Sequence, residues 1–319
     1  MLHLRLITPA DRTEAVVGLL ENSVGTANLA VLTGAAREPA GDMILCDVVR
    51  EAGDEILREL RALGIQERGS IAVETVDLEL SQRAEQAEHE APGESADAVV
   101  WEQLTEVTHE ESTFSITYVA FITLAVILAA CGVMLDNAIL IVGAMAVGPE
   151  FGPLAGICTA VVQRAPRLAG RSLYALLAGF ALAIALTVLF SVLMDAAGLF
   201  REIMLERPRS NTAFIWKPDR MSFVVAFLAG IAGTLSLTSA KSTALIGVAI
   251  SVTTVPAAGN AAVALSYGDL GQTYGSAGEL LANLGGILLA GTLTLLMQKW
   301  LWSHRVRRAA ARRPQRQAP

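Results

Sequence analysis

The sequence predicts an α+β chain. A small cytoplasmic domain with ferredoxin-like βαββαβ order comes first. An all-α membrane domain of about six spans follows, arranged as a 3+3 inverted repeat with helices 2 and 5 broken. Three observations carry this. Residues 1–111 hold 23 acidic and 8 basic side chains (net −15), whereas residues 112–319 hold 8 and 16 (net +8). Hydrophobic residues make up 53% of the chain and concentrate after residue 112, an excess that soluble domains do not show. Two of the long apolar stretches also carry proline at mid-length, as "GPEFGP" and "VPAAGN".

The first domain, 1–80, reads element by element. "LHLRLI" alternates with period two, as a half-buried strand does. "TPADRTEAVVGLLENS" is helical, with Thr8 as cap, Pro9 at the first position and Asp11 in the first turn. "TANLAVLTG" and "DMILCDVV" are strands separated by the turn-rich "AAREPAG". "EAGDEILRELRALG" places Ile56, Leu57, Leu60 and Leu63 on one helical face and stops at Gly64, and "SIAVETVDLEL" is the last strand. Residues 81–111 are expected to be an acidic linker (81–97) and a juxtamembrane helix with Val99, Val100, Leu104 and Val107 on one stripe.

The membrane domain, 112–303, holds apolar stretches at about 113–134, 137–163, 168–194, 221–239, 243–266 and 279–302. Each reaches the roughly 20 residues a helix needs to cross the hydrocarbon. "MLHLRLITPADRTE" has no apolar signal core, so the first domain is expected in the cytoplasm. With that start, 11 positive charges fall on the inner side: Arg164, Arg167, Arg171, Lys241 and seven from Lys299 onward, in and before the basic tail 304–319. Five (Arg201, Arg207, Arg209, Lys217 and Arg220) fall on the long outer loop. The bias predicts a multi-pass cell-membrane protein with both termini cytoplasmic, and the tail also touches anionic lipid.

The broken spans carry the candidate site. Pro149 and Pro153 remove backbone donors, and Gly148 and Gly152 loosen the same turn. Such backbone survives at membrane depth only when buried in protein or lining a wet cavity. Pro256, flanked by Thr253, Thr254 and Asn260, repeats the device in the fifth stretch, and "PLAG" (153–156) matches "PAAG" (256–259) in position. Half-helix ends expose free N–H and C=O groups that can hold an ion or polar solute. Glu150 adds a titratable group that could bind a cation, carry a proton or repel anions. Its structural alternative is to cap the second half-helix or face a water vestibule. For Thr253, Thr254 and Asn260 the alternative is ordinary hydrogen bonding to or between helices. Asp136 and Asn137, at the outer turn, read as a turn and a helix cap.

Cys46, Cys131 and Cys158 are too few and too scattered for a disulfide framework or metal site, and the four histidines have no ligand spacing. No phosphate-cradling loop or nucleophile motif is present, and the basic residues fit membrane topology rather than nucleic acid. These residues leave the cofactor unknown.

"N-x-x-x-I-x-G-A-M-x-x-x-P-x-x-G-P-x-x-G" is matched in order by Asn137, Ile141, Gly143, Ala144, Met145, Pro149, Gly152, Pro153 and Gly156. This segment, with the lead-in "WEQLTEVTHEES", resembles the DUF389 family of multi-pass membrane proteins over roughly residues 98–265. The resemblance implies a membrane architecture, with a small α/β domain as a common companion, and no particular activity. Glu150 stands where that family is often apolar, so the resemblance assigns it no role.

The expected function is a transporter or channel for a small ion or polar solute, with the α/β domain sensing a ligand or regulating opening. The alternative is a non-transporting sensor or scaffold, anchored and oligomerised by its membrane part. An enzyme is not expected, because one buried carboxylate without a paired acid, histidine or metal set is too little chemistry. The expected partners are the bilayer, the solute and further copies of the chain.

Overall fold

The computed structural model describes residues 1–76, 78–91, 99–217, 219–239 and 254–312. They form two units, residues 1–103 with 299–319 and residues 104–298.

In the first unit, β1 (Leu2–Thr8) buries Leu2, Leu4, Leu6 and Thr8 and turns Arg5 outward, the period-two pattern of a strand with one packed face. After it come α1 (Thr13–Asn22), β2 (Thr26–Arg37), β3 (Ala40–Val48), α2 (Arg50–Ala62), the single turn α3 (Ile65–Arg68) and β4 (Ser70–Thr75). The four strands form one antiparallel sheet in the order β2-β3-β1-β4. Its apolar face packs on Val16 and Leu20 of α1 and Ile56, Leu57 and Leu60 of α2. Gly64 ends α2's turn at φ 71, a left-handed conformation that glycine adopts without strain.

Four boundaries differ from those expected. The strands run through most of the expected turn 35–41, since β2 extends to Arg37 and β3 begins at Ala40. Helix α1 starts at Thr13 rather than Pro9, because Thr8 is paired with Asp42 in the β1–β3 ladder and its backbone stays extended. Thr13 reaches the same Asp42, donating to Oδ2 at 2.6 Å. Strand β4 stops at Thr75, opposite Leu2 where β1 starts, and Leu78 and Leu80 are exposed beyond it. Part of the expected linker is helix α4 (Gln82–Glu90), capped by Ser81 and packed through Ala84 and Ala87.

Helix α5 (Trp101–Glu111) leads into the second unit, which holds α6 (Ile116–Leu135), α7 (Ala138–Val147), α8 (Phe151–Gln163) and α9 (Pro166–Ala196). A short α10 (Glu202–Glu206) and a 3-10 turn (Ala213–Trp216) precede α11 (Arg220–Thr238) and α12 (Thr254–Tyr267). Last comes α13 (Leu270–Arg312). Helices α6, α9, α11 and α13 are long and apolar enough to cross a membrane, and α7 with α8 makes a fifth if that pair, bent by 50°, is one span. Most of the first half of the expected stretch 243–266, with Lys241 and Thr253, lies outside the described residues.

This unit turns many large apolar side chains outward, among them Ile116, Ile139, Leu177, Leu228 and Leu281. Its core mixes large side chains such as Ile122, Leu154 and Phe180 with many alanines and glycines. A Cβ on Gly259 would lie 2.8 Å from Ala129 Cβ and 2.9 Å from Ala130 N, so α12 and α6 touch nearly backbone to backbone. Small residues at helix contacts and bulky apolar ones outside suit a hydrocarbon solvent. Helix α12 is buried on every side from Thr254 to Ala264 and forms the centre of the unit.

Candidate functional site

Helix α7 ends at Gly148, whose N–H donates to Ala144 O at 3.2 Å, and α8 starts at Phe151. Between them lie Gly148, Pro149 and Glu150. Pro153 is the third residue of α8, where no intrahelical partner awaits a backbone N–H, so the proline costs the helix little. Gly148 must be bare: a Cβ there would collide with Glu150 Oε2 and lie 2.8 Å from Val255 Cγ2. Gly152 is bare for another reason, since a Cβ there would meet Glu111 Cβ at 2.6 Å. Gly156 lies against Ser112 and Ser172, and Ser172 Oγ donates to Ser112 Oγ at 2.8 Å.

Glu150 occupies the N-cap position of α8, yet its side chain takes no capping bond. It turns toward α12, where Oε1 accepts a bond from Thr254 Oγ1 at 2.7 Å. Glu150 is 5% exposed and Thr254 1%. Oε2 has no partner among the described residues, and neither does the hydroxyl of Tyr118 on α6, a group within electrostatic reach of the Glu150 carboxylate. The capping alternative is thereby removed, and the carboxylate joins the break to a second element.

Pro256 is buried in α12, two residues after Thr254. Asn260 lies four residues further along α12, about 6 Å at 1.5 Å per residue, and belongs to a different cluster. Its Oδ1 accepts from Arg209 Nη1 at 2.8 Å and its Nδ2 donates to Ser276 Oγ at 2.8 Å. Arg209 also donates to Gln272 Oε1. Asp136, in the left-handed conformation, closes α6 and accepts bonds from Asn211 and Thr212. Asn137 caps α7, accepting from the N–H groups of Ile139 and Leu140. Thr253 lies outside the described residues.

Sequence reasoning missed several buried polar groups. Arg209, counted only as a loop charge, is 5% exposed. Gln272, Ser276, Glu279 and Asn283 of α13 are all buried, and Asn283 Nδ2 donates to Glu279 Oε1 at 3.2 Å. Their spacing of four, three and four residues is the signal that could have found them: a polar stripe on an otherwise apolar helix. Glu279 also gives the membrane unit a second buried carboxyl group.

A helical unit with bilayer-length apolar helices, an apolar exterior and a buried carboxyl group at a helix break defines a membrane-type domain. Residues 145–289 match the family described as Domain of unknown function (DUF389); the match begins inside the Asn137–Gly156 motif, at Met145, and runs past the expected end near 265. Uncharacterized protein MJ0678 of Methanocaldococcus jannaschii is 25% identical over 203 residues, 64% of this chain and 61% of that protein. The chain thus spans less than two thirds of the length of this curated relative. No solved structure matches the chain.

Proposed function

We propose that the membrane unit is a conduit, a transporter or channel, for a small ion or polar solute, with its pathway between the α7–α8 break and the first described turn of α12. The observation that carries this is the Glu150–Thr254 bond, which joins two elements 104 residues apart through a buried carboxyl group. A charged side chain at the centre of a membrane helix costs about 3 kcal/mol even on the mildest scale. A membrane anchor has no use for one; a conduit has.

The matching places of "PLAG" (153–156) and "PAAG" (256–259) in their apolar stretches support a 3+3 inverted repeat of six spans. The positive bias of the inner loops and tail supports cytoplasmic termini in a cell membrane. The sheet order β2-β3-β1-β4, antiparallel throughout, supports a ferredoxin-like regulatory domain that senses a ligand. Such a domain also pairs readily with another copy, so the working form is a homo-oligomer without enzymatic activity.

The test is flux through purified protein in liposomes across a panel of cations, anions and a pH gradient. Glu150→Gln should lower the flux about tenfold or change its selectivity. Flux that ignores the substitution returns Glu150 to a structural role. Folded protein with no flux under any condition leaves the sensor or scaffold.

A further inference from the structure

We infer that Glu150 Oε2 is a proton-binding site, and that the proton is the ion this conduit handles. The assignment of the proton to transport rests on the conduit reading; the site itself stands on the following geometry. The two oxygens of Glu150 are not equivalent. Oε1 is held by the Thr254 hydroxyl at 2.7 Å, which makes it the acceptor end of the group. Oε2 lies over the bare Cα of Gly148 with no partner among the described residues. A carboxylate oxygen buried without a donor is a costly arrangement. A proton on Oε2 neutralises the charge and turns that oxygen into a donor, while Oε1 becomes the carbonyl oxygen that Thr254 already serves.

A metal cation would need several oxygens around it at once. A proton needs a single lone pair, which is what Oε2 offers. The hydroxyl of Tyr118, also without a partner among the described residues, lies within electrostatic reach of the same carboxyl group.

At the end of α5, the Glu111 carboxyl group stands over Gly152, two residues from Glu150. Other charged and titratable groups on the surrounding elements are engaged elsewhere. On α9, Arg171 binds His109 and Thr113, and Asp195 accepts from Tyr267 of α12. On α13, Glu279 accepts from Asn283. The apolar α7 carries none. Protonation is a reversible step in which one O–H bond forms on Oε2 from a proton of the bulk and breaks again to release it.

The experiment is infrared difference spectroscopy of the purified full-length protein across a pH series, in water and in deuterium oxide. The expected result is a protonated-carboxyl carbonyl band that titrates, shifts in deuterium oxide and is lost in Glu150→Gln. Thr254→Val keeps the carboxyl group but removes the donor to Oε1, so the band should persist at higher frequency. That variant keeps the test decisive if Glu150→Gln fails to fold. An unchanged band in Glu150→Gln would place the proton elsewhere and overturn the inference, and so would displacement of the band by sodium or potassium ions. Liposome flux separates the two readings. Flux without the Glu150 band keeps the conduit and overturns the proton. The band without flux keeps the site, removes the conduit and overturns the proton as a transported ion.

Discussion

The Arg209 guanidinium donates to Asn260 Oδ1 at 2.8 Å inside the membrane unit, and both residues are buried. The arginine comes from the chain between α10 and α11, and the asparagine from the centre of α12. This bond ties the irregular segment to the innermost helix, with Gln272 of α13 as second acceptor. Arg209→Gln should therefore destabilise the protein by about 2 kcal/mol, the range for hydrogen bonds to charged groups. Asn260→Ala should cost less on the Arg209→Gln background than alone. The check is a double-mutant cycle on unfolding in mild detergent; additive losses would show that the bond does not couple the two sites.

Gly259 and Gly143 are expected to behave oppositely. A Cβ on Gly259 meets Ala129 and Ala130 of α6 at 2.8 and 2.9 Å, and the second of these is a backbone atom that cannot step aside. Gly259→Ala should cost about 1–3 kcal/mol by overpacking. Gly143 on α7 has nothing within 4 Å of the added methyl, so Gly143→Ala should be neutral or gain up to about 1 kcal/mol of helix propensity. Thermal unfolding of the two variants side by side decides this. Equal losses would mean that the α6–α12 contact is looser than the backbone distances imply.

These contrasts mark where the sequence was legible. Strand alternation in β1 and β3 and the apolar face of α2 are local patterns and could be read directly. The start of α1 could not, because what holds Thr8 extended is its pairing with Asp42, 34 residues away. Helix α4 was missed because two alanines, Ala84 and Ala87, are too small to stand out in an acidic segment. At the site, the prolines and glycines showed that a break exists, and Glu150 showed that it is charged. The sequence could not show that Oε1 goes to Thr254 while Asn260 serves Arg209. The stripe on α13 was lost because the span was counted from Glu279 onward, which left Gln272 and Ser276 outside it.

The Ser112–Ser172 bond lies against Gly156, in space that no larger residue at 156 could share. Gly156→Val should separate α8 from α9 and destabilise the protein by about 2 kcal/mol or more. Ser172→Ala removes only the hydroxyl and should cost about 1 kcal/mol. Unfolding in detergent reads both. A Gly156→Val protein as stable as Ser172→Ala would mean that the bare Cα is not what lets these elements meet.

The first unit should respond to pH through Asp54. Its Oδ1 accepts from the N–H of Trp101 at 2.9 Å, at the start of α5. Burial, and then the neighbouring Glu102 carboxyl, push the Asp54 pKa up to about 8. The folded protein therefore holds a proton that the unfolded chain releases near the ordinary carboxylate value. The stabilisation is fully present below that ordinary value and is lost as pH rises through about 8. Hydrogen exchange of the first-turn α5 amides should accordingly gain protection between pH 8 and pH 6 beyond the chemical dependence of exchange on pH. Asp54→Asn keeps an acceptor for Trp101 and cannot ionise, so the variant should hold the same protection across that window. If Asp54→Asn follows the wild-type pH dependence, a different group controls the start of α5.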